Sequence, residues 1–114
     1  MTGSFLFLPV ALLAATLFAA GCGGAGESSE PVATTEVEMV KSYRFDPKTI
    51  EIEAGDTVTW TNEDNFTHTV QVEGQGDHQV EQGERLTLTF EKPGTYRYVC
   101  TLHSRDMDGE VIVK

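Results

Sequence analysis

The sequence predicts an all-β sandwich of about seven or eight short strands. Three observations carry this. Apolar and polar residues alternate with a period of two through most of the chain after residue 36. Val, Ile, Thr, Tyr and Phe, the residues that fit a pleated half-buried surface, fill the alternating runs. Gly, Pro, Asn and Asp fall between the runs, where turns belong. No stretch carries the 3.6-residue period of an amphipathic helix.

Taken in order, Glu36-Val37-Glu38-Met39-Val40 opens the series, with Met39 on its apolar face. Asp46-Pro47 then turns the chain into Ile50-Glu51-Ile52-Glu53, which Ala54-Gly55-Asp56 ends. Val58-Thr59-Trp60-Thr61 follows, then a polar loop, then Val70-Gln71-Val72. Gly74-Gln75-Gly76 and Gln82-Gly83-Glu84 bound a segment that reads as loop. Leu86-Thr87-Leu88-Thr89-Phe90, Tyr96-Arg97-Tyr98-Val99 and Val111-Ile112-Val113 complete the pattern, separated by Pro93-Gly94 and Asp108-Gly109. The core or near-core candidates are Trp60, Ile50, Ile52, Val58, Val70, Leu86, Leu88, Phe90, Tyr96, Tyr98, Val111 and Val113. With 114 residues the chain supports one small domain, placed at 36–114.

The N-terminal part reads differently. Phe5 to Ala20 is an apolar run broken by Pro9 and Thr16, short for a membrane span. It ends in Phe18-Ala19-Ala20-Gly21-Cys22, which resembles a bacterial lipoprotein signal. That resemblance implies a signal peptide over 1–21 and lipid on Cys22. Residues 22–35 are rich in Gly and Ser and lack periodicity, so they are expected to form a flexible tether. A coil of that length spans roughly 20 Å. The expected location is exported and lipid-anchored, on the outer face of the cytoplasmic membrane or in the periplasm.

The charge is −10, from 18 acidic and 8 basic residues. Such a surface repels nucleic acid and anionic headgroups and favours a partner with a basic docking face. Cys22 and Cys100 have separate tasks in this reading, so no disulfide is expected, and the domain is expected to be a monomer.

The chemistry lies in Cys100-Thr101-Leu102-His103-Ser104-Arg105-Asp106-Met107. A thiolate, an imidazole and a thioether in one loop before the last strand are the donors that soft copper sites use. A second imidazole is needed. His68 opens a strand after a polar loop, whereas His78 sits in a segment expected to be mobile and solvent-exposed, so His68 is chosen. If His68, Cys100, His103 and Met107 converge, they hold one copper ion in a His/Cys/His site with a weak axial Met. Closing the loop from His68 to Cys100 costs roughly 3 kcal/mol of chain entropy, which folding of the sandwich meets before metal arrives. Thr69 and Thr101 each follow a ligand and can tie the two loops together or bond the Cys100 sulfur.

At this point a family resemblance appears. Tyr43-Arg44-Phe45-Asp46-Pro47-Lys48-Thr49-Ile50-Glu51-Ile52-Glu53-Ala54-Gly55-Asp56-Thr57-Val58-Thr59-Trp60-Thr61-Asn62 is similar to the opening half of a small cupredoxin. Pro93-Gly94-Thr95-Tyr96-Arg97-Tyr98-Val99-Cys100-Thr101-Leu102-His103 is similar to the closing half. The likeness is to the plastocyanin, amicyanin and halocyanin group. It implies a Greek-key β-sandwich, a type 1 copper and single-electron transfer. His68, Cys100 and His103 then correspond to the equatorial ligands, Met107 to the axial one, and the His103 edge to the electron port. Leu102 is the evident apolar neighbour of His103 within the loop, and Ser104-Arg105-Asp106 is polar.

Related enzymes do not match. Multicopper oxidases place histidines beside the cysteine, where this chain has Val99 and Thr101. A binuclear copper domain needs two cysteines in the loop, and no Cys-x-x-Cys-His is present for haem. The expectation is a one-electron carrier and not an enzyme. The alternative is an extracytoplasmic protein that buffers or delivers copper. Zinc also fits a Cys/His/His set, so copper rests on Met107 and the resemblance.

Overall fold

The computed structural model describes residue 3, residues 30–103 and residues 105–114. The leader, Cys22 and the first part of the tether lie outside the described residues. Among the described residues ten strands form: β1 (Val32–Ala33), β2 (Glu36–Val40), β3 (Arg44–Asp46), β4 (Thr49–Ile52), β5 (Thr57–Asn62), β6 (His68–Val72), β7 (Gly76–Val80), β8 (Arg85–Thr89), β9 (Gly94–Val99) and β10 (Asp108–Val113). Among the described residues there is no helix.

The strands make two sheets. One runs β1-β4-β10-β9-β6-β7 and the other β3-β2-β5-β8. The chain crosses between them repeatedly, from β3 to β4, β4 to β5, β5 to β6, β7 to β8 and β8 to β9, as a Greek-key sandwich requires. Alternation sets the register. In β5, Val58, Trp60 and Asn62 are buried while Thr57 faces out. In β10, Gly109, Val111 and Val113 are buried opposite the half-exposed Asp108, Glu110 and Ile112. A slip of one residue would invert both faces, so the pattern fixes the pairing.

The core packs Trp60, Tyr98, Phe90, Met39 and Ile50 between the sheets, with Val37, Phe45, Val72 and Val80 around them. Tyr98 stands edge-on to both Phe45 and Trp60, at centroid distances of 4.8 and 5.3 Å. Leu86, Leu88 and Tyr96, named among the core or near-core residues, are partly buried and pack against its rim. Their strands lie where one face meets solvent: β8 is the edge of its sheet.

Three strands lie outside the seven runs read from the sequence. β3 has three residues and β1 two, too short to show a period. β7 carries Gly, Asp, His and Gln, and forms because it hairpins onto β6 with His68 opposite Val80. The expectation of a mobile loop around His78 is thereby corrected. His78 sits on a strand opposite Val70, half-buried, with its Nε2 2.8 Å from the Gln75 carbonyl oxygen. The tether expected over 22–35 is likewise shortened. Val32 and Ala33 pair in parallel with Ile50 and Glu51, and the Thr35 carbonyl accepts the Thr59 N–H at 2.9 Å. Backbone pairing, which needs no apolar side chain, holds this stretch to the domain.

One pole of the sandwich gathers the chemistry-bearing segments. β10 begins at Asp108 and runs parallel to β4, with Glu110 opposite Thr49. β1 runs parallel to β4 as well. The starts of β1, β4 and β10 therefore share the pole of the 100–107 loop.

Candidate metal centre

Two separate segments build the site. The first is the approach to β6. Buried Asn62, at the end of β5, donates through Nδ2 to the carbonyls of Phe66 (2.8 Å) and Val80 (3.0 Å) and accepts the Asp64 N–H through Oδ1 (2.9 Å). One amide thereby folds the 62–68 loop and delivers His68 to a fully buried position at the head of β6.

The second is the loop between β9 and β10. The Cys100 N–H donates to the Met107 carbonyl at 3.0 Å, and the N–H groups of Asp106 and Met107 donate to the His103 carbonyl at 3.1 and 3.0 Å. The His103 N–H in turn donates to the Cys100 carbonyl at 3.1 Å. These bonds close the loop on itself, with Cys100 and Met107 fully buried and His103 half-buried. Ser104 lies outside the described residues.

The segments meet at Cys100. Its Sγ is 3.7 Å from His68 Nδ1 and 3.8 Å from His103 Nδ1. One donor atom from each of the three lies within 4.8 Å of the others. A borderline metal about 2.3 Å from sulfur and about 2.0–2.1 Å from nitrogen, with about 120° between the bonds, spans roughly 3.7–3.8 Å from sulfur to nitrogen. A tetrahedral angle gives roughly 3.6 Å. The spacings fit a trigonal thiolate and imidazole set. Met107 is buried in the same closed loop, and its thioether is a soft donor of the type that copper favours over zinc. Cys100 is the free cysteine among the described residues.

Each donor has its own support. The Thr69 N–H donates to Cys100 Sγ at 3.4 Å. Thr69 Oγ1 accepts the Thr101 N–H at 2.7 Å and lies 2.7 Å from Thr101 Oγ1, with Cys100 Sγ farther off at 3.8 Å. Thr69 and Thr101 therefore join the two segments directly beside the sulfur.

His68 rests on a residue that sequence reasoning missed. Its Nε2 lies 2.8 Å from Asp64 Oδ2, and both side chains are buried. Burial alone would push the Asp64 carboxyl up. The His68 hydrogen bond, the Asn65 N–H at 2.7 Å and the charges of His68 and Lys41 outweigh it and hold that carboxyl below its usual range. An ionised Asp64 accepts a hydrogen bond from Nε2–H, which leaves the Nδ1 lone pair for a metal. The spacing of four positions between Asp64 and His68 was the available signal.

His103 is supported by aromatic rings instead. Tyr43 stacks on it at a centroid distance of 4.0 Å and an interplanar angle of 24°. Tyr43 also meets Phe66 at 5.9 Å and His68 edge-on at 6.1 Å. Leu102 was the expected apolar neighbour of His103. Leu102 is 57% exposed, Phe66 55% and Tyr43 36%, and Tyr43 lies directly against the ring.

Comparison with known proteins agrees with this architecture. The model of the cupredoxin-like domain family matches residues 9–113. Amicyanin-alpha of Methylorubrum extorquens is 36% identical over 118 residues, covering 96% of this chain and 98% of the relative. Halocyanin of Natronomonas pharaonis is 32% identical over 102 residues, covering 78% of this chain and 63% of the relative. Among solved structures, a mutant amicyanin in its Cu(I) form superposes with a TM-score of 0.63 at 28% identity, covering 76% of this chain and 94% of that one. The chain belongs to the cupredoxin-like family, and its thiolate and imidazole cluster is a candidate site for one copper ion.

Proposed function

We propose that this chain is a one-electron carrier, tethered to a membrane through Cys22, with copper held by His68, Cys100, His103 and Met107. The observation that carries the proposal is the convergence of His68, Cys100 and His103 donor atoms within 4.8 Å, preformed by the protein's own hydrogen bonds. Bound copper supplies a one-electron Cu(I)/Cu(II) couple.

The residues do the rest. Asp64 fixes the His68 tautomer and ring orientation. The Thr69 N–H takes up part of the charge on the Cys100 sulfur, and the Thr69–Thr101 link keeps the two segments in register. Burial of His68, Cys100 and Met107 keeps water from the donors, so little solvent rearranges when the charge changes. Half-buried His103 is the donor that reaches the surface, and it serves as the electron port. No bond to substrate forms or breaks, so the protein is a carrier and not an enzyme.

The tether is part of the proposal. β1 enters at the pole of the 100–107 loop, where Glu30 and Val32 line a cleft together with Arg44, Asp106 and Asp108. Eight positions separate Cys22 from Glu30, a reach of at most about 29 Å. A lipid on Cys22 would hold the copper pole near the membrane on the outer side of the cell. Redox partners at that surface, with a basic face toward this chain's net charge of −10, are the expected donors and acceptors.

A carrier of electrons and a carrier of copper differ in what they exchange. Metal release and electron self-exchange, measured on the same copper-loaded protein, separate them. Self-exchange much faster than copper loss to a chelator supports the shuttle. The reverse order supports copper delivery. Met39 speaks against delivery, since it is buried in the core and offers no exchangeable thioether. Cys22→Ser tests the tether: membrane-bound protein should become soluble, and unchanged retention would contradict lipidation of Cys22.

A further inference from the structure

We infer that Tyr43 is a positioning residue of the copper site: its ring clamps the His103 imidazole in the ligand orientation before any metal is bound. The inference rests on the proposed role of His103 as a ligand.

The first observation is the backbone. β2 and β3 form a hairpin in which Val40 pairs with Arg44, leaving residues 41–43 as its turn. Ser42 and Tyr43 in that turn have φ of 74° and 56°. A non-glycine residue in the left-handed region costs roughly 1–2 kcal/mol, and Gly or Asn would reduce the strain. A bulky aromatic at this position, following a strained Ser42, is uncommon. Strain of this kind persists where the surroundings hold it and tends to mark functional sites.

The second observation is where the strain delivers the side chain. The Tyr43 ring lies almost parallel to His103, with centroids 4.0 Å apart. It also meets His68 edge-on at 6.1 Å and Phe66 at 5.9 Å. His68 and His103 themselves stand 5.4 Å apart at 61°. Tyr43 is the ring that touches both imidazoles and the apolar surface beside them.

The third is need. His68 is fixed by the Asp64 carboxylate in a buried setting. His103 is half-buried in a polar loop, next to exposed Leu102. Its ring contacts are Tyr43 on its face and His68 at its edge. Stacking restricts the ring's rotation without using either nitrogen. Metal ligation draws electron density from an imidazole, and the electron-rich face of tyrosine attracts the partial positive charge that results. The clamp therefore persists, and tightens, when copper binds.

The test compares Tyr43→Phe, which keeps an aromatic ring, with Tyr43→Leu, which keeps bulk but not stacking. Two readouts are taken on the full chain: proton NMR shifts of the His103 ring in the metal-free protein, and the rate of copper loss to a chelator from the loaded protein. An aromatic pair worth about 0.5–1.5 kcal/mol corresponds to roughly 2- to 13-fold. The expected result is a ring-current shift of the His103 protons in the native protein and in Tyr43→Phe. In Tyr43→Leu that shift is lost and copper leaves roughly 2- to 13-fold faster, while the metal-free domain still folds and keeps its other proton shifts. Normal copper uptake with His103 shifts and copper release unchanged in Tyr43→Leu would overturn the inference alone. A native protein that takes up no copper would overturn the ligand assignment and the inference with it.

Discussion

His68 and His103 stand 5.4 Å apart, ring to ring, yet the chain secures them by opposite means. His68 opens a strand, is fully buried, and is held by an ionised carboxylate that is itself buried and bonded to the Asn65 N–H. His103 sits in a loop, reaches the surface, and is held through its face by a tyrosine ring. A buried imidazole has no water to satisfy Nε2, so a polar partner is obligatory there, and that partner sets the tautomer. An exposed imidazole has water for its free nitrogen and needs only orientation, which stacking provides. One donor is built for permanence and the other for contact with the outside. An electron carrier needs both at once, a rigid metal cage and one edge open to partners.

The comparison can be broken from either side. Replacing Asp64 with Leu should have the largest effect. It leaves Nε2 of buried His68 unpaired, so the metal-free domain should lose about 1–3 kcal/mol of stability. Loss of the group that orients a metal-binding histidine costs roughly 10- to 100-fold in metal affinity. Copper titration against a competing chelator and urea denaturation check both. Asp64→Asn retains an acceptor and should lose clearly less on each count. Equal losses in the two variants would show that His68 depends on the carboxylate's charge and that a neutral acceptor cannot replace it.

On the loop side the supporting position is Gly109. A methyl group there would overlap the Tyr98 ring and hydroxyl and come within 2.6 Å of the Lys48 carbonyl oxygen. Tyr98 is fully buried against Trp60, so the ring has nowhere to move. Gly109→Ala should destabilise the domain by about 1–3 kcal/mol, read from denaturant midpoints. Because the strain enters two residues after Met107, it should loosen the 100–107 loop before it disturbs His68. Broadened His103 signals beside sharp His68 signals would be the NMR signature.

Thr69 sharpens the comparison at the point where the two halves join. In Thr69→Val the Thr101 N–H loses its acceptor while the backbone N–H to Cys100 Sγ remains. The expected loss is about 1 kcal/mol, with a small shift of the thiolate-to-copper absorption band and the site retained. Met107→Leu should likewise retain the band and raise the reduction potential, since a donor to copper(II) is removed. Electrochemistry on the copper-loaded protein checks that direction.

How much of this was legible in the sequence follows from the range of each interaction. The strands of the sandwich announced themselves through period-two runs such as Val58 to Thr61 and Val111 to Val113, because burial of one face acts on neighbours along the chain, while Asp108-Gly109, read as a turn, opens β10. β1 and β7 did not, because β1 is two residues long and β7 is polar, and both exist through pairing with β4 and β6. Cys100, His103 and Met107 were visible as a cluster in one segment, and His68 followed from the need for a second imidazole. Thr69 and Thr101 were readable as neighbours of those residues. Asp64 carried only a weak signal, an acid four positions before a histidine. Tyr43 carried none, since its partner lies 60 positions away and the left-handed turn that aims it has no glycine to mark it.

The most direct test of the central claim is a visible absorption spectrum of the domain taken through one redox cycle. Copper(II) is added to the metal-free protein, then ascorbate, then an oxidant, with Cys100→Ser treated in parallel. The account predicts an intense blue thiolate-to-copper band that ascorbate bleaches, the oxidant restores and Cys100→Ser lacks. A pale product, or a blue band that survives in Cys100→Ser, would contradict it.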